Sequence, residues 1–158
     1  MNTKREHGFT LIELLVVSII VGILATLVAM TYSGVQAKNR NSHRQAGINT
    51  LQGKLETYYV EKSKYPTLEE LNDSAWRKEN LKDVNVAALR DPQWSNKVPG
   101  CTNAAGEAVF AANPVARCYS YQATAADGSA CSATVACAQY SLTATFEGGE
   151  KYVKTSLN

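Results

Sequence analysis

The stretch Phe9–Tyr32, FTLIELLVVSIIVGILATLVAMTY, constrains this chain more than any other: its 24 residues carry one charged side chain, Glu13. As a helix rising about 1.5 Å per residue it would reach about 36 Å, enough to cross a hydrocarbon core of about 30 Å. A secretory signal would end in small residues of A-x-A type. Ala25-Thr26-Leu27-Val28-Ala29 fits that poorly, and the apolar run exceeds the usual length. A plain membrane anchor leaves Glu13 unexplained. A carboxylate in a span costs about 2.5–3.5 kcal/mol, so such residues are rare and usually paired. Read without its neighbours, Glu13 would simply reach back toward the headgroups.

Composition sets the frame for the rest. The chain has 158 residues, 45% apolar and 19% charged, with net charge +2. That suits one domain with its own core and argues against a disordered chain. The charges are interspersed, so no basic patch makes nucleic acid the main partner. All four cysteines fall between Cys101 and Cys137, as expected for disulfides in an oxidising compartment. Lys4 and Arg5 on one flank of the span nearly balance Lys38, Arg40 and Arg44 on the other. The cysteines decide the orientation: the C-terminal part is expected outside the cytoplasm. His7 and His43 lie far from the cysteines, and no zinc spacing is present.

Gly8-Phe9-Thr10-Leu11-Ile12-Glu13, after a short basic leader, resembles the class III signal of bacterial type IV pilins and type II secretion pseudopilins. The resemblance implies that a prepilin peptidase cuts between Gly8 and Phe9 and that Phe9 is then N-methylated. Residues 1–8 would be a cleaved leader, and 9–32 a transmembrane and filament-core helix. It gives Glu13 a role in assembly register: its carboxylate would pair with the new amine of a neighbouring subunit, a pair able to form at one axial offset only. Many family members carry a Pro where this chain has Met30; Gly22 and Gly34 are the local weak points instead.

Beyond the span, Ile48, Leu51, Leu55, Tyr58 and Tyr59 fall on one helical face, with Val35 earlier in the same pattern. Between them Lys38-Asn39-Arg40-Asn41-Ser42-His43-Arg44-Gln45 forms a polar belt, read as a solvated helix surface. Nucleic-acid binding has weak support there, since no aromatic platform is interleaved with the charges. Tyr65 precedes Pro66, so the helix of roughly fifty residues should stop by Lys64. Thr67 and Glu70 form a capping box that starts a short helix. Residues 65–100 read as a connecting region, with another turn around Val84–Leu89, and Trp76 and Trp94 as core or lid residues.

The period then changes to two. Cys118, Ser120 and Gln122 alternate with Tyr119, Tyr121 and Ala123; Tyr140, Leu142, Ala144 and Phe146 alternate with polar residues. Gly148-Gly149 marks a hairpin, and Val153, Thr155 and Leu157 give the apolar face of a last strand. The expected fold is α+β. It is the pilin-like ladle that the resemblance implies, a long N-terminal helix, half transmembrane, packed on a small antiparallel β-sheet of three or four strands. An extracytoplasmic globular domain would cover 33–158, with the sheet and its disulfides in 101–158. Of three possible pairings, Cys101 with Cys118 and Cys131 with Cys137 is favoured, because the latter closes a short loop beside the clearest strand. The other two pairings stay open. Each closure would contribute about 2–4 kcal/mol.

No catalytic motif appears, and no cofactor is implied; Asp127-Gly128-Ser129 does not continue into a calcium loop. The expected function is a structural subunit, a major or minor pilin, polymerising through its helix into a type IV pilus-like filament for adhesion, motility or DNA uptake. Its partners would be copies of itself, other pilins, the prepilin peptidase and the inner-membrane platform of the assembly machine. It would start as a single-pass protein of the cytoplasmic membrane and end in a cell-surface pilus or other extracytoplasmic filament. The alternatives are a type II secretion pseudopilin and a membrane-tethered binding domain that never polymerises.

Overall fold

The computed structural model describes residues 9–82, 89–132 and 134–158. The chain divides into two compact units, one up to Lys38 and one from Asn39. Helix α1 runs Leu11–Lys62, 52 residues. It contains no proline, and it remains helical through Gly22 and Gly34. Ser63, in the left-handed region at φ 55°, turns the chain out of the helix ahead of Tyr65-Pro66. Helices α2 (Leu68–Asn72) and α3 (Ser74–Asn80) follow. Strands β1 (Tyr119–Thr124), β2 (Gln139–Thr145) and β3 (Lys151–Thr155) make one antiparallel sheet in the order β1-β2-β3.

The second unit is built on the periodic face of α1. Ile48, Leu51, Leu55 and Tyr58 are buried against Tyr119 and Tyr121 of β1 and Tyr140, Leu142 and Ala144 of β2. Each fully buried large side chain contributes about 1.5–3 kcal/mol relative to exposure. Glu56 adds a polar fastening from the same helix. It accepts hydrogen bonds from the hydroxyls of Tyr65 (2.8 Å) and Tyr140 (2.7 Å). Burial, helped by the Glu56 charge, pushes the Tyr65 phenol up to about 12. Thr67 and Glu70 form the capping box of α2. Helix α3 has no counterpart among the sequence expectations; its signal is Asp73, whose carboxylate accepts from the backbone N–H of Ala75 and Trp76. The turn expected around Val84–Leu89 lies, except for Leu89, outside the described residues.

A second, smaller cluster surrounds the disulfide Cys101–Cys118: Ala111 is buried with it, and Trp94, Val98 and Val115 pack on it. The indole N–H of Trp94 donates to the Cys101 carbonyl at 2.9 Å. Trp76 lies edge-on to Tyr58 at 5.2 Å, against the main core. Cys131–Cys137 closes the loop before β2.

Two expectations are corrected. The polar belt is only in part a solvated helix surface: Lys38, Asn39, Ser42, His43 and Gln45 are exposed, but Arg40, Asn41 and Arg44 are not. Arg44 is 1% exposed and forms a fork onto Asp91, itself 3% exposed, with Nε at 2.7 Å from Oδ2 and Nη2 at 3.0 Å from Oδ1. Asn41 Oδ1 and Gln93 Oε1 accept its other N–H groups. Arg40 pairs with Glu147, whose own backbone N–H donates to Asn41 Oδ1 at 3.0 Å. Arg40 and Arg44 therefore turn inward because Glu147 and Asp91 from distant segments neutralise them there, and Asn41 joins them by accepting from the Arg44 guanidinium and the Glu147 backbone N–H. The last strand is also inverted. Val153 and Leu157 are exposed, whereas Tyr152 and Lys154 are half-buried. The turn Phe146–Glu150, with Gly148 and Gly149 at positive φ, pairs Thr145 with Lys151. That register places Tyr152 opposite Ala144 on the helix-facing side, and a shift of one residue would reverse every side chain.

Two measurements check this network. Asp91→Ala leaves the buried Arg44 guanidinium with only the more distant Glu147 carboxylate, 3.5 Å from Nη1, so urea unfolding of the full chain in detergent should show a loss of up to about 3–5 kcal/mol. Combining it with Arg44→Met should recover much of that, and a single-variant loss below about 1 kcal/mol would refute the reading. The Arg40 guanidinium holds the Glu147 carboxyl below the ordinary carboxylate range. A depressed carboxylate stabilises the fold above its unfolded pKa, and the contribution is lost as pH falls through the lower folded value. The Glu147 amide resonance should therefore titrate below the ordinary range, and a midpoint at the ordinary glutamate value would contradict the pairing.

Candidate functional site

The first unit has a side-chain chemistry unlike the second. From Leu11 to Val28 its large apolar residues are all exposed, Leu11 at 84% and Val16 at 48%. They lie all around the helix rather than on one stripe, the pattern of a helix buried on every side by lipid or by other helices. The segment is long and apolar enough to cross a membrane by length and composition.

Its polar side chains are satisfied within the helix. Ser18 donates to the Leu15 carbonyl at 2.8 Å and Thr26 to the Ile23 carbonyl at 2.7 Å. Thr10 and Glu13 form a reciprocal pair at the amino end. Glu13 Oε2 accepts from the Thr10 backbone N–H (2.8 Å) and hydroxyl (2.7 Å), while the Glu13 N–H points at Thr10 Oγ1 at 3.4 Å. This is a capping box: it occupies donors that a helix start leaves open and sets a carboxylate at the positive end of the helix dipole. One oxygen of Glu13 is thus engaged by its own chain. The other, Oε1, has no hydrogen bond among the described residues, and Glu13 is exposed.

Sequence reasoning assigned Glu13 a partner on another subunit and overlooked Thr10. The signal was present as T-x-x-E over residues 10–13, the same pattern that identified Thr67 and Glu70. Phe9 is 81% exposed. Gly8, on the other side of the expected cleavage point, lies outside the described residues. Among the described residues, no group of three or more His, Cys, Asp or Glu side chains is placed to hold a metal ion.

The prokaryotic N-terminal methylation motif matches residues 3–29. The chain is 37% identical over 67 residues to type II secretion system core protein G of Dickeya chrysanthemi, covering 42% of this chain and 44% of that protein. It is 37% identical over 70 residues to the protein of the same name from Aeromonas hydrophila, covering 44% and 49%. It is 34% identical over 61 residues to the type IV major pilin protein PilA of Myxococcus xanthus, covering 39% and 28%. The chain therefore spans less than half the length of these curated relatives. No solved structure matches it.

Removing the cap should loosen the start of the helix without unfolding the second unit. Thr10→Ala is expected to cost about 0.5–2 kcal/mol locally. Amide exchange in lipid nanodiscs should accelerate at Ile12–Leu14 and stay unchanged at Leu51 and Leu55; unaltered exchange at the amino end would exclude the capping role.

Proposed function

Because the chain belongs, through its methylation motif and its homology to core protein G and PilA, to the type IV pilin and type II secretion pseudopilin family, we propose that it is a structural subunit of a pseudopilin-type filament. The observation that carries this reading is an apolar helix, exposed on all sides, whose first turn holds a carboxylate with one oxygen uncommitted. The sequence alone favoured a type IV pilus. The relatives named core protein G favour the secretion pseudopilin instead, and the likeness to PilA keeps the pilus as the second reading.

In this proposal the peptidase cuts between Gly8 and Phe9, and the methylated amine of Phe9 becomes a cation at the membrane edge. Before assembly the helix sits in the cytoplasmic membrane with the second unit outside. On assembly it exchanges lipid contacts for contacts with helices of other copies, a swap between apolar surroundings that changes little hydrophobic energy. Glu13 can then discriminate between registers. The capping box holds Oε2, so Oε1 is free to accept from the incoming amine. At any other axial offset both charges stay unpaired in low dielectric, which is costly.

Mass spectrometry of the protein from its native host tests the processing. A chain starting at N-methyl-Phe9 is expected; an intact leader would exclude filament assembly and favour a non-polymerising tether. Glu13→Leu should leave processing and the second unit intact but reduce filament yield about tenfold or more, as expected for losing more than about 1.4 kcal/mol of selectivity. Undiminished filaments from that variant would remove Glu13 from assembly. Deleting the gene separates the two filament readings: loss of protein secretion supports the pseudopilin, loss of surface pili the pilin.

A further inference from the structure

Each end of a β-sheet presents a row of backbone groups that hydrogen-bond water until another strand replaces it. The β1 end is closed by the chain itself: Ala111 donates to the Tyr119 carbonyl at 2.9 Å and its own carbonyl accepts from the Tyr121 N–H at 3.0 Å. The β3 end is open. Along an antiparallel strand, successive residues turn their N–H and C=O groups to opposite sides. Ser156 donates to the Tyr140 carbonyl at 3.1 Å, and Glu150 accepts from the Phe146 N–H at 2.7 Å. The even-numbered residues of β3 therefore pair with β2, and Lys151, Val153 and Thr155 turn their backbone groups outward. Helix α1 covers the C-terminal part of this edge. Gln52 Nε2 donates to the Thr155 carbonyl at 2.9 Å, and the Leu157 N–H points at Glu56 Oε1 at 3.4 Å. A gap centred on Val153 is left. Among the described residues, the outward N–H and C=O groups of Lys151 and Val153 have no partner.

The strand that carries this gap is held in place. Tyr152 stacks on Phe146 with ring centroids 5.6 Å apart, and its hydroxyl donates to Asn49 Oδ1 at 3.0 Å. A preformed edge loses little freedom when a partner pairs with it. On the exposed face of β3 lie Lys151 and Val153, the latter 48% exposed. On the other face the Lys154 ammonium lies 5.8 Å from the Tyr152 ring centroid.

We propose that the β3 edge accepts an extended acidic segment of another protein as a fourth strand. Backbone bonds to Lys151 and Val153 provide the attachment, and the side chains opposite β3 select the partner. Lysines on an edge strand oppose pairing with a strand of like charge. Each copy of this chain brings Lys151 and Lys154 with Glu150 as the one acid beside them, so a second copy would add positive charge to positive charge. A strand with carboxylates opposite Lys151 and Lys154 and a β-branched residue opposite Val153 turns that repulsion into attraction. The edge lies wholly within the second unit, so this pairing does not depend on filament assembly.

Amide NMR of the full chain in detergent micelles tests it, with the peptide Ac-Thr-Glu-Val-Thr-Glu-NH2. In the antiparallel register its two glutamates fall opposite Lys154 and Lys151. Saturating peptide should slow exchange of the Val153 N–H at least tenfold. Ac-Thr-Lys-Val-Thr-Lys-NH2 should bind at least tenfold more weakly. So should Ac-Thr-Glu-Pro-Thr-Glu-NH2, which keeps the charge but loses the N–H that donates to the Val153 carbonyl. Val153→Pro removes the outward donor of the protein without touching the β2 ladder. It should weaken binding of the first peptide at least tenfold and leave Lys154 amide exchange unchanged; should Lys154 exchange accelerate, the proline peptide on the unaltered chain decides instead. The assignment is overturned if the acidic peptide leaves Val153 unprotected, or if the lysine or proline peptide binds as tightly. Protection of Val153 that rises with protein concentration in the absence of peptide would also overturn it, in favour of a second copy.

Discussion

A guanidinium that is 1% exposed cannot exist without a carboxylate, and that requirement organises the second unit. Arg44 lies on α1 one turn before the apolar face begins at Ile48. It draws in Asp91 from 47 residues away in sequence, which brings the segment around Trp94 onto the helix. Trp94 in turn sits over the Cys101–Cys118 disulfide, so a charge pair positions the smaller apolar cluster. Arg40 and Asn41, a turn earlier on α1, capture Glu147 and with it the turn between β2 and β3. Such a network contributes less to net stability than its contacts suggest, since both charges had to be desolvated. Its effect is on the arrangement: the one observed satisfies Arg40, Asn41 and Arg44 together.

The two units satisfy their polar atoms in opposite ways. In the first, Thr10, Glu13, Ser18 and Thr26 are bonded to groups within three residues of themselves. Nothing further is demanded of the surroundings, as suits a helix with apolar side chains exposed on every side. In the second, Arg44, Glu56, Asn72 and Tyr121 bond to residues far along the chain. That unit is a closed structure whose polar groups specify its own fold. Glu13 belongs to the first kind with one addition, an oxygen the helix does not use.

Much of the fold is legible in the sequence because it rests on local periodicity. The apolar spacing of Ile48, Leu51, Leu55 and Tyr58, the Tyr65-Pro66 stop, the Thr67–Glu70 box and the alternation through Tyr140–Ala144 each need only a few neighbouring residues to act. The candidate site is partly legible for the same reason: the charge at Glu13 is visible against an apolar run, and Thr10 was readable as its cap. Helix α3 was not anticipated because its seven residues lack a clear apolar stripe and depend on the Asp73 cap. The fate of the polar belt was hidden for a different reason. Nothing around Arg44 distinguishes a solvated arginine from a buried one, since its partner is distant in sequence.

The sequence by itself determined the elements and the division of solvents: a helix that lipid or other helices must surround, then a chain able to form its own core. Tertiary structure decided the orientation of what those elements carry. It turned Arg40, Asn41 and Arg44 inward and put Tyr152 rather than Val153 toward the helix. Periodicity is a short-range property of the chain, whereas the pairing of charges and the register of strands depend on groups that meet only after the chain has folded.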